Sequence, residues 1–134
     1  MGVTVFNGRS ANELAGDAAE AIRGINHLTF DAGSVRYPSD AYRLLGSLES
    51  AAGSLPQALA QIDRLLQRWL EDDQISIDGG DVAGDPAAAV AAASTHLLEE
   101  ARPAVAQLTK ALTAARDAIT WASYTGPVDD ESDW

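Results

Sequence analysis

Between residues 45 and 69 an apolar residue recurs at every third or fourth position: Leu45, Leu48, Ala52, Leu55, Leu59, Ile62, Leu66 and Trp69. At 3.6 residues per turn this spacing keeps one apolar row on one side of a helix, and such a row requires other helices against it. A second row of the same kind runs through Ala91, Ser94, Leu98, Ala101, Val105, Leu108, Leu112, Ala115, Ile119 and Ala122, widened by Leu97, Ala104 and Ala111. Two such rows joined by a short loop predict an antiparallel helical hairpin. The strongest pattern in the chain therefore specifies packing, and it contains no nucleophile, metal ligand or phosphate cradle.

Local signals set the expected boundaries. Residues 3–6 are β-prone and Asn7-Gly8 reads as a turn, after which Ser10 and Glu13 form a capping box that starts a helix at Ala11. That helix, with Leu14, Ala15, Ala18, Ile22 and Ile25 on its apolar side, is expected to reach about His27. A connector over residues 30–38 leads to Ser39, expected as the N-cap of a helix ending at Glu71 or Asp72. Pro56 falls inside it and withdraws the bond to the Ala52 carbonyl, so one kinked helix is expected there. Asp85-Pro86 is a strong start for the third helix, expected to run to about Ser123. With the loop centred on Gly79, Pro56 and Pro103 fall at nearly the same height, and both helices should bend together there. The same register sets Trp69 opposite Ala88, Ala89, Ala91 and Ala92, and Trp121 near Tyr37. In the acidic, glycine-rich loop of residues 72–85, Ile75 and Ile77 could form a short strand against residues 3–6.

The expected fold is thus all-α: a long kinked antiparallel hairpin of residues 39–72 and 86–123, with the helix of residues 11–27 packed beside it as a three-helix bundle. Residues 1–127 read as a single helical domain and residues 128–134 as an exposed acidic tail. Three helices leave Leu44, Leu65, Leu70, Leu97 and Ala104 uncovered, and self-association would bury them.

The 134-residue chain carries a formal net charge of -11, which opposes direct binding of nucleic acid, since neutralising phosphates needs a basic face. It has no cysteine, excluding disulfides, thiolate catalysis and cysteine-ligated metals. No stretch has the length of a membrane span and residues 1–9 do not read as a signal peptide, so a cytoplasmic location is expected, with secretion lacking a cleaved signal as the alternative. Basic residues are almost all arginine and alanine is abundant, a composition similar to that of small helical actinobacterial proteins.

Candidates for chemistry are few. His27 and His96 lack any H-x-x-x-H spacing, Asp72, Asp73, Asp78, Asp81 and Asp85 do not follow the ligand order of an EF-hand loop, and Glu99 and Glu100 have no Glu-x-x-His motif. The nucleotide-binding glycine motifs and the G-x-S-x-G elbow are missing, and Lys110 is a poor Schiff-base candidate. No catalytic residue, cofactor, metal or small-molecule ligand is assigned. Arg64 and Arg68 stand one turn apart on the polar side of the second helix, behind Gln57 and Gln61. They call for an acidic neighbour, either a carboxylate of the third helix or loop, or a docking partner.

The expected function is therefore a non-enzymatic scaffold or interaction protein that self-associates or forms the helical half of a complex. Its candidate interaction residues are Arg64, Arg68, Leu65, Leu70, Leu97 and Trp134. A hairpin of two long helices over residues 39–123 resembles the WXG100 class of type VII secretion substrates. The resemblance is architectural: Trp69 is followed by Leu70 and Glu71 where the family has W-x-G, and Tyr124 has Val128 four residues on where the family has an acid. It implies a small secreted helical hairpin. A further alternative is an acidic inhibitor or nucleic-acid mimic for a basic protein, although arginines interrupt the acids along both long helices. The last six residues, an acidic run ending in Trp134, resemble the docking tails of bacterial single-stranded-DNA-binding proteins, which implies that charge steers and the ring anchors.

Overall fold

The computed structural model describes residues 4–30, 34–79 and 84–127. Among them the chain forms three helices and no strand.

The first helix, α1, spans Ala11–Phe30. Its start is the expected capping box: the Glu13 N–H donates to Ser10 Oγ at 3.2 Å and the Ser10 N–H to Glu13 Oε1 at 3.4 Å, satisfying two amides the first turn leaves without partners. Just ahead, Asn7 and Gly8 both take positive φ, 52° and 74°, the mirror-image turn that Asn-Gly favours. Phe6 and Arg9 consequently exchange main-chain hydrogen bonds of 2.9 and 3.0 Å. Among the described residues the short strand expected at Ile75 and Ile77 is not formed.

The second helix, α2, spans Pro38–Glu71. Its first turn is closed by Asp40 rather than by the expected Ser39. The Asp40 Oδ2 accepts from the Arg36 and Tyr37 N–H groups, each at 3.2 Å, and a carboxylate is favourable at this end of a helix. Pro38 loses nothing at the first position, where its missing N–H would have no partner. The helix then runs through Pro56 without interruption. It ends where Asp73 turns to φ 53° and the Gln74 N–H bonds back to the Trp69 carbonyl at 2.8 Å, a left-handed C-terminal cap.

The third helix is built from three segments in continuous helical conformation: α3 (Pro86–Ser94), a π-helical stretch (Thr95–Ala101) and α4 (Arg102–Ala118). Asp85 caps it as expected, its Oδ1 accepting from the Ala88 N–H at 3.0 Å. The π stretch comes directly before Pro103, which has no N–H to return to the Glu99 carbonyl. There the Arg102 N–H reaches Leu97, five residues back. The helix ends at Ala118 and not near Ser123: the Ile119 and Thr120 N–H groups bond only three residues back, at 3.2 Å each, and Trp121 is 92% exposed.

The chain divides into two compact units, Met1–Ala41 with Ala122–Trp134, and Tyr42–Trp121. In the first, α1 buries none of its residues. The ring beside Tyr37 belongs to Tyr124, edge to face with centroids 5.1 Å apart, where Trp121 had been expected. Tyr124 lies so close over Gly126 that a Cβ there would come within 2.8 Å of its oxygen, so this position admits only glycine without a shift. In the second unit, Ala52 and Val90 are buried at 4% and 2% exposure, together with the carboxylate of Asp63 at 8%.

Candidate interaction surface

The buried side of α2 is rotated by about one residue from the row read in the sequence. Leu45, Glu49, Ala52, Pro56, Leu59, Asp63, Leu66 and Leu70 are all buried or half-buried, again by alternating steps of four and three. This row includes two carboxylates and a proline. The row one residue earlier, Leu44, Leu48, Ala51, Leu55, Ala58, Ile62, Leu65 and Trp69, is apolar throughout. From Ala51 onward every member is exposed. The expected row had alternated between these two, which is why Leu55, Ile62 and Trp69 lie open while Ala52, Leu59 and Leu66 are covered.

α4 behaves in the same way. Its covered positions are Val105, Thr109, Leu112, Thr113 and Arg116, whereas Ala104, Leu108, Ala111 and Ala115 are exposed. On this helix too the covered side includes polar residues, Thr109, Thr113 and Arg116, while Arg102, Gln107, Lys110 and Asp117 are exposed. Leu55, Ile62, Leu65, Trp69 and Leu108 are each between 41 and 48% exposed, a concentration of large apolar side chains at the surface.

Polar residues hold the covered side together. Arg116 Nη1 lies 3.3 Å from Glu49 Oε1, and Thr113 Oγ1 donates to Glu49 Oε2 at 2.7 Å. The Arg116 guanidinium stands over the Tyr42 ring at 5.7 Å from its centroid, within cation–π range. Gly46 lies alongside this side chain: a Cβ there would meet Arg116 Nη1 at 3.6 Å, in ordinary contact. Asp63 has no such support. Its Oδ1 is buried without a hydrogen-bond partner, as is Arg116 Nε.

The residues assigned from the sequence separate into three groups. Leu65 lies on the open row of α2, while Leu70 and Leu97 are half-buried. Arg64 and Arg68 are exposed, away from the open row, and neither meets a carboxylate among the described residues. Trp134 and the acidic tail of residues 128–134 lie outside the described residues. Ala88 and Ala89, expected opposite Trp69, are half-buried, while Ala91 and Ala92 are exposed. Glu49, Asp63, Thr113 and Arg116 were missed. The available signal was their seven-residue spacing with Pro56 and Leu70 on α2, which marks an inner row once Glu49 is matched to an arginine on the third helix.

Other groupings have less content. His96 Nδ1 meets Glu100 Oε2 one turn on, with both side chains open to solvent. Among the described residues no group of three or more His, Cys, Asp or Glu could hold a metal ion, and no helix is long and apolar enough to cross a membrane. A shallow hollow in the first unit is lined by Thr4, Val5, Phe6, Arg9, Ala11 and Leu14, without convergent polar groups. Compared with protein-family models, with curated proteins and with solved structures, the chain matches none.

Proposed function

We propose that this chain is a non-enzymatic helical interaction or scaffold protein, and that α2 and the third helix form an antiparallel hairpin that presents an apolar side to a partner. The hairpin is supported by contacts that run in opposite senses, Gly46 with Arg116 and Glu49 with Thr113. The observation that carries the interaction is the inversion across α2: a carboxylate is turned inward at Asp63 while Ile62 next to it and Trp69 further along are turned outward. Were solvent the only environment of α2, the opposite rotation would be favoured, because burying an unpaired carboxylate costs free energy and burying an Ile or Trp gains it. A partner helix on the open row restores the balance. Pro56 and Pro103 are proposed to bend the two helices at matched heights and so keep the polar interior closed.

Affinity capture from the source cell tests this reading, with wild type compared against Ile62→Glu at low and high salt. A stoichiometric partner, or the chain itself, should be retained by wild type, lost in the variant and insensitive to salt. Salt-sensitive capture of a basic protein that survives Ile62→Glu would instead support an acidic mimic. If neither form of the protein retains anything, the interaction reading fails.

A further inference from the structure

We infer that the occupant of the open row is a second copy of this chain, with α2 packed antiparallel against α2 of its partner; the inference rests on the interaction reading above and names its partner. Three properties of the sequence in its structural setting support it.

The first is charge. The net charge of -11 would oppose self-association if it were spread over the surface. It is not. Residues 42–71 hold three bases, Arg43, Arg64 and Arg68, against three acids, Glu49, Asp63 and Glu71. Residues 86–118 likewise balance Arg102, Lys110 and Arg116 against Glu99, Glu100 and Asp117. The excess acid lies entirely in the loop, the N-terminal segment and the tail. The helix pair is electrically neutral, and its open rows contain no charged residue at all, so two copies can approach through this side without a Coulomb penalty.

The second is self-complementarity. A two-fold axis requires each residue to face one at the mirrored position of the same row. Placed at Ala58, the axis sets Leu55 against Ile62, Leu48 against Trp69 and Ala51 against Leu65. Ala51 thus meets the larger Leu65, apolar side chains meet apolar ones in the other two layers, and alanine meets alanine on the axis, where the backbones approach most closely. The alternating steps of four and three are those of a coiled-coil seam, in which each side chain enters a hole on the facing helix. The exposed part of the row spans about 27 Å from Ala51 to Trp69 at 1.5 Å per residue, long enough for several interlocking layers.

The third is the shape of the neighbouring helix. Both open rows precede the covered rows by one residue, and in an antiparallel pair this turns them to the same side. Alongside the bulky row of α2, α4 therefore contributes a low shoulder of Ala104, Ala111 and Ala115. An incoming helix can settle against both, and with two helices about 10 Å apart the covered strip is roughly 500 Å² per partner, the size of a small specific interface.

The chain has no cysteine, so single cysteines report proximity without background. Under mild oxidation Ala58→Cys should form a covalent dimer of twice the 14.0 kDa chain, because the axis places each copy of this residue beside its counterpart. Gln57→Cys, exposed on the other side of α2, should not. Sedimentation of wild type at tens of micromolar should show the dimer, and Ile62→Glu should yield a monomer with unchanged helical circular dichroism. A monomeric wild type together with equal, slow oxidation of the two cysteine variants overturns the inference. If such a monomer still captures a foreign protein that Ile62→Glu releases, the interaction reading stands and only its occupant is wrong. If Ile62→Glu stays dimeric and Ala58→Cys does not cross-link, the copies meet elsewhere and the inference also fails.

Discussion

α1 and the helix pair differ in how far along the chain their polar contacts reach. In α1 the bonds are local: Ser10 with Glu13, Arg23 with Glu20 at 2.7 Å, and Arg9 with Asp17 only eight positions on. In the unit of residues 42–121 Glu49 reaches Thr113, 64 residues away. Local bonds of this kind are exposed and worth a few tenths of a kcal/mol to about 1 kcal/mol each, so α1 is specified by its own sequence and weakly held. The helix pair is specified by which side of each helix its partner selects. Local bonds mark α1, whereas Glu49, Thr113 and Arg116 tie α2 to the third helix.

The strongest disturbance of this contrast is a charge at Val90, 2% exposed in α3. Val90→Asp leaves a carboxylate in the apolar interior and should destabilise by about 3 kcal/mol or more. Thermal unfolding followed by circular dichroism should lose its main cooperative transition. Amide exchange in the first turn of α1 should stay as in wild type, since its caps are untouched. Faster exchange there, matching that of α2, would show that the units unfold as one.

Removing the misfit carboxylate should have the opposite sign. Asp63→Leu replaces a buried acid whose Oδ1 has no partner by a side chain suited to its surroundings, and the expected gain is about 2 kcal/mol. Urea unfolding should show a higher midpoint with an unchanged slope. A lower midpoint would mean that Asp63 has a partner in solution, and would weaken the argument built on its inward rotation.

Arg116→Met tests the polar link between the helices. The pair with Glu49 is roughly a quarter exposed, so its worth is discounted for screening, and the expected loss is about 1–2 kcal/mol. Glu49→Gln should cost less, because Thr113 and Arg116 can still donate to the amide oxygen. A double-mutant cycle on these two positions should return a coupling near 1 kcal/mol. Simple additivity would remove this contact as the feature that fixes the rotation of α2.

What the sequence made legible follows the same division. The Asn7-Gly8 turn, the Ser10–Glu13 box and the Asp85-Pro86 start were all readable, because each signal and its consequence lie within a few residues. The rotation of α2 was not. Two adjacent rows are each regular and mostly apolar, and the contact that accompanies the observed rotation, Arg116 with Glu49, joins residues 67 positions apart in sequence. The same blindness hid the π stretch, since Pro103 announces a missing bond without saying how the turn before it will respond. Of the candidate interaction residues, Leu65 was placed on the open side by counting apolar residues in excess of a three-helix core. Leu70 and Leu97 came from the same excess, yet they are half-buried because each lies toward the covered side.

The smallest expected effect belongs to α1. Ser10→Ala removes the oxygen that accepts the Glu13 N–H and leaves Glu13 without its reciprocal partner, a change worth about 1 kcal/mol of helix stability. Because the helix buries none of its residues, that energy should register only locally. Amide exchange over the first turn, residues 11–14, should accelerate several-fold. The urea midpoint reported by the rest of the chain should stay within error of wild type, and Ser10→Asp, which keeps an acceptor and adds a charge favourable to the helix N-terminus, should restore protection. A fall in the global midpoint on Ser10→Ala would show that α1 is packed in solution against something its local bonds do not reveal.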